Sequence, residues 1–181
     1  MDTNQDPMVT IFCTAIEMKE KKKALYEGAM KTCPDQVGIE TFRMLKDAEE
    51  DHARSLQAAY EELKKGSVPA DACRFVPFDG EDKKSLLRRI AREHGRMPRA
   101  CLDDVAAIET GLSLENASIS FLDKQARSAE DKGVRELLER LIGEERQHCI
   151  VLADLKFYYT DPEGWFIEKG KAGLDGAGEL A

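Results

Sequence analysis

No apolar run in this 181-residue chain approaches the ~20 residues that a membrane span needs. The first residues, Met1 to Pro7, show no basic stretch leading into an apolar one, so a secretory signal is not expected. None of the five cysteines, Cys13, Cys33, Cys73, Cys101 and Cys149, forms a CxxC pair. Their odd number and wide spacing argue against a disulfide framework or a thiolate zinc site, and fit reduced, packing thiols in a cytoplasmic protein. Positive charge is also short: the net charge is −8, which makes nucleic acid and anionic membrane surfaces poor partners. The densest basic run, Lys19-Glu20-Lys21-Lys22-Lys23, reads as a solvated helix face. Strand patterns are nearly missing.

What is present is helical periodicity. Four segments carry apolar stripes at i, i+3, i+4, i+7 spacing: about Val9 to Lys31, Asp35 to Lys65, Leu102 to Ser128, and Asp131 to Tyr159. Cys33-Pro34-Asp35 separates the first two and offers Asp35 as an N-cap; Gly66-Ser67-Val68-Pro69 closes the second. A connection over about 66–100 follows, with an irregular stretch (Ala70 to Gly80) and a short helix expected over Glu81 to Glu93. Two antiparallel hairpins joined by one long crossover between helices 2 and 3 make an all-α, ferritin-like antiparallel four-helix bundle, expected over residues 1–160. Residues 161–181 form a C-terminal arm: a turn, then Trp165 and Phe166 packing on the bundle or on a second subunit, then a glycine-rich flexible end.

The two hairpins align on each other at a constant offset of 96 residues, without a gap. Phe12 meets Ile108, Tyr26 meets Leu122, Phe42 meets Leu138, Leu45 meets Leu141, and Leu56 meets Leu152. Glu49 meets Glu145 and His52 meets His148. Residues at i and i+3 share one side of a helix, and both Glu-x-x-His pairs lie on an apolar stripe. A carboxylate in a core is costly unless it is paired or binds a cation. Two such pairs facing each other build an oxygen–imidazole cage for transition metals, or a metal-free hydrogen-bond network. In the third helix the matching carboxylate is Glu115. The offset places Lys19 at its counterpart in the first helix. Lys19 can lose its proton, turn its head away while Glu20 bends in as a substitute ligand, or fill the site as a salt-bridge partner.

The chain resembles the ferritin-like, rubrerythrin-type family over about residues 10–160. Ala15-Ile16-Glu17-Met18 leading to Leu25-Tyr26, Ala48-Glu49-Glu50-Asp51-His52, Glu115 to Leu122, and Gly143-Glu144-Glu145-Arg146-Gln147-His148 carry the resemblance. It implies a non-haem di-iron centre ligated by Glu49, His52, Glu115, Glu145 and His148, with Tyr26 beside the metals, and peroxide- or oxygen-linked redox or iron handling. It also implies a cytoplasmic homodimer. The family's first-helix Glu falls on Lys19, and its second tyrosine falls on Leu122. No rubredoxin-like module with paired CxxC motifs is present, so reducing electrons would come from an external donor protein. Three readings follow: a di-iron peroxidase, a protein holding one ion of iron, manganese or zinc, and a metal-free binding or structural bundle in which Lys19 replaces a ligand.

Overall fold

The computed structural model describes residues 7–64 and 102–174. Every element among them is helical. The helices are α1 (Pro7–Thr32), α2 (Gln36–Lys64), α3 (Leu102–Ser128), α4 (Lys132–Thr160) and α5 (Pro162–Leu174). The expected crossover, including the helix over Glu81 to Glu93, lies outside the described residues, as do Cys73 and Cys101.

Three aspartates start three of these helices. Asp35 accepts a hydrogen bond from the Gly38 amide at 3.2 Å, Asp131 from the Val134 amide at 2.8 Å, and Asp161 from the Gly164 amide at 2.9 Å. Each satisfies an amide that the first helical turn would leave without a partner. Asp161 also closes α4 through its own amide, which donates to the Phe157 carbonyl at 2.9 Å. Pro162 then opens α5, where a missing N–H costs nothing.

The C-terminal arm differs from the sequence reading. Helix continues through Gly164 and Gly170 to Leu174 in place of the expected turn, and the glycine-rich end after Leu174 lies outside the described residues. Trp165 is fully buried within the single chain, its ring 5.1 Å from that of Tyr158 and edge-on to it. Lys169 pairs with Asp154 of α4 at 2.8 Å. Tertiary packing of one large aromatic outweighs the ~1 kcal/mol per residue by which glycine weakens a helix.

α1 packs along α2 and α3 along α4; the hairpins meet chiefly through α1 against α3, and α5 lies on α4. The 96-residue offset maps α2 onto α4 end to end. Each pair aligned above is buried on both sides, from Phe12 with Ile108 to Leu56 with Leu152. The core falls into two apolar clusters. One gathers Phe12, Leu56, Leu122, Leu138 and Leu141; the other gathers Tyr26, Phe42, Leu45, Ile108, Leu152 and Trp165. A layer of buried polar side chains accompanies them.

The start of α2 approaches the end of α4 closely at Gly38. A Cβ there would fall against the Tyr159 hydroxyl and 2.5 Å from Cys33 Sγ. Gly38→Ala is expected to destabilise the fold by about 1–3 kcal/mol through overpacking, read as a lower urea midpoint. An unchanged midpoint would show that Tyr159 yields freely. Cys33 itself is a packing thiol: it sits 3.5 Å from the Tyr159 hydroxyl, and burial pushes its pKa up.

Candidate metal centre

α2 and α4 present Glu49, His52, Glu145 and His148; α3 presents Glu115; all five are buried. The His52 and His148 rings stack with centroids 5.5 Å apart, as equivalent residues across a shared axis should. Two groups have ligand atoms close enough to hold a metal ion. Glu49, His52 and His148 form one, and Glu49, Glu115, Glu145 and His148 the other, with atoms within 4.8 Å of one another in each. All five sequence-derived ligands therefore converge.

Each group already meets an ammonium nitrogen. Lys22 Nζ lies 2.6 Å from Glu115 Oε2 and 2.9 Å from Glu49 Oε1, and pairs also with Glu145. Lys19 Nζ lies 3.3 Å from Glu49 Oε2 and 3.4 Å from His52 Nδ1, and pairs with Glu145. Both lysines are 1% exposed. Tyr26 donates a hydrogen bond to Glu115 Oε1 at 2.6 Å. His148 Nδ1 stands 3.0 Å from Glu49 Oε1 and 3.3 Å from Glu115 Oε1.

Two sequence expectations change here. The Lys19–Lys23 run is not a solvated face: Lys19 and Lys22 turn inward, while Lys21 and Glu17 pair in solvent at 2.6 Å. Glu20 is no substitute ligand. It is exposed, pairs with Lys23 at 3.3 Å, and stands about 100° round the helix from Lys19. Lys22 is the residue that sequence reasoning missed. Its signal was spacing: it lies three residues after Lys19 and four before Tyr26, on the same face, and the 96-residue offset sets it against buried Ser118.

The electrostatics follow from burial against neighbours. Burial pushes the Lys19 ammonium down to about 8, against the pull of Glu49. Burial also opposes the charge on Lys22, but Glu49 and Glu115 outweigh it and hold Lys22 above its usual value. His148 is likewise raised, because contacts with Glu115 and Glu49 overcome its burial. Glu49 and Glu115 fall below the carboxylate range despite burial, through Lys19 and Lys22 for the first and through His148 and Lys22 for the second. His52 is driven to about 2 by burial and by the adjacent Lys19 charge, so it stays neutral. Burial and the neighbouring Glu115 carboxylate keep the Tyr26 phenol protonated. Three carboxylates thus face two ammonium groups and a His148 that readily takes a third positive charge. The cluster balances itself.

That balance sets an acid response. Folded His52 binds no proton where an unfolded histidine does, below about 6.5. Stability should therefore fall by about 1.4 kcal/mol per pH unit below that point. Loss steepens below about 4.5, where the unfolded chain's Glu49 and Glu115 take up protons that the folded carboxylates, held lower, do not. His148, raised when folded, contributes stability that is full below about 6.5 and fades as pH rises through its folded value. Urea unfolding across pH 5 to 7 checks this, and His52→Gln should flatten the slope.

Two divalent ions do not fit among these residues as they stand, since the ammonium groups occupy the contacts that the ions would make. No family model, curated protein or solved structure matches the chain. Among the described residues, no helix is long and apolar enough to cross a membrane.

Proposed function

We propose that this chain is a ferritin-like bundle of the rubrerythrin type that works without iron, as a binding or structural module. The observation that carries this reading is the placement of Lys22 Nζ against Glu49, Glu115 and Glu145, with Lys19 Nζ against Glu49 and His52. A dinuclear centre needs four carboxylates to offset two divalent ions; this core supplies three and adds two ammonium groups. The ferritin-like arrangement is supported by two short-linked hairpins and by a Glu-x-x-His pair in the second helix of each. The di-iron peroxidase reading and its external electron donor would require both lysines to leave the core and the missing carboxylate to be replaced.

Elemental analysis of anaerobically purified protein incubated with Fe(II) tests the proposal. We expect no stoichiometric iron and a melting temperature indifferent to Fe(II), because only a ligand that binds the native state shifts it. Two irons per chain would overturn the reading and direct attention to peroxide chemistry.

A further inference from the structure

Each candidate ion group meets a lysine ammonium: Lys22 contacts Glu49, Glu115 and Glu145 of one, Lys19 contacts Glu49 and His52 of the other and also Glu145, and both lysines come from α1. The other hairpin has no such lysines: the counterparts of Lys19 and Lys22 are Glu115 and Ser118. The chain therefore carries, in its second half, the residue pair that leaves this layer open to a cation. We infer that the core is a divalent-cation site held closed from within by α1, with Lys22 as the resident cation of the Glu49, Glu115, Glu145 and His148 group. The inference rests on the metal-free reading above.

Charge sets the stoichiometry. Removing Lys22 leaves three carboxylates and one ammonium, an excess of two negative charges, which suits one divalent ion. Removing Lys19 as well and restoring a carboxylate there gives four negative charges, which suits two. Carboxylate oxygens mixed with imidazole nitrogen favour Mn(II), Fe(II) or Zn(II) over calcium. Serine at position 22 removes the aminoalkyl chain and so opens space within hydrogen-bond reach of three carboxylates.

The full chain, K22S, K19E/K22S and K22S/E115Q are each stripped with chelator and titrated with Mn(II) and with Zn(II), reading bound metal per chain and melting temperature. K22S should take up one ion and melt higher as metal rises; K19E/K22S should take up two. K22S/E115Q should lose the uptake, which separates the core from surface carboxylates. If stripped K22S fails to fold, recovery of helicity on adding metal supports the inference, and no recovery overturns it. A folded K22S that takes up no metal overturns it too, while leaving the metal-free reading intact. Stoichiometric uptake by the unsubstituted chain would instead sink that reading.

Discussion

Lys22→Met is expected to lower the free energy of unfolding by about 3–5 kcal/mol, the usual cost of removing one partner from a buried ion pair. In a domain of this size that corresponds to a melting temperature lower by roughly 6–20 °C. Methionine keeps most of the side-chain volume, so the loss isolates charge from packing. The cause is the three carboxylates that Lys22 contacts, all buried beyond the reach of water. Without that ammonium Lys19 alone does not offset three carboxylates, and in metal-free protein proton uptake relieves the excess, so the deficit should be larger at pH 8 than at pH 5. Lys21→Met provides the contrast. Its partner Glu17 is 2.6 Å away, but both side chains are more than half exposed, and water and salt screen such a pair, so little stability should be lost. A Lys22→Met loss no larger than that of Lys21→Met would mean that Lys22 is not inside the core.

The second large effect concerns Trp165. Trp165→Ala should cost about 3–5 kcal/mol, as for other fully buried large aromatics. Its ring packs edge-on against Tyr158 and Phe166, with centroids 5.1 Å away in each case. Trp165→Phe should cost far less. Among the described residues the buried Trp165 Nε1 group has no hydrogen-bond partner, a burden of about 1–3 kcal/mol that phenylalanine does not carry. Chemical denaturation of the two variants separates the contributions. Equal losses would mean that the indole N–H is satisfied in solution. Deleting residues 162–181 should reproduce the Trp165→Ala loss, because α5 is held to α4 through this aromatic contact and the Lys169–Asp154 pair.

Much of the fold is legible because helical periodicity is a local signal. The stripe through Leu45, Glu49, His52 and Leu56 depends only on 3.6 residues per turn, and so do the boundaries set by Asp35 and Asp131. The internal repeat adds a long-range constraint without needing structure: residues 96 apart should be equivalent, which paired His52 with His148 and drew Lys19 into the core layer. The arm was misread because Gly164, Gly170 and Gly173 signal weak helix locally, whereas the gain from seating Trp165 arises only once α4 is in place.

Periodicity and the internal repeat are enough to specify the helices, their pairing into two equivalent hairpins, and which carboxylates and imidazoles share the core layer. What neutralises them depends on how the helices pack together. A lysine three residues from another on a charged run is equally suited to solvent, and its local pattern does not distinguish the two fates. Lys22 goes inward because three carboxylates from α2, α3 and α4 converge where its ammonium can reach all of them. That convergence is a property of helices assembled in space, and it sets two lysine ammonium groups against the carboxylates of the layer.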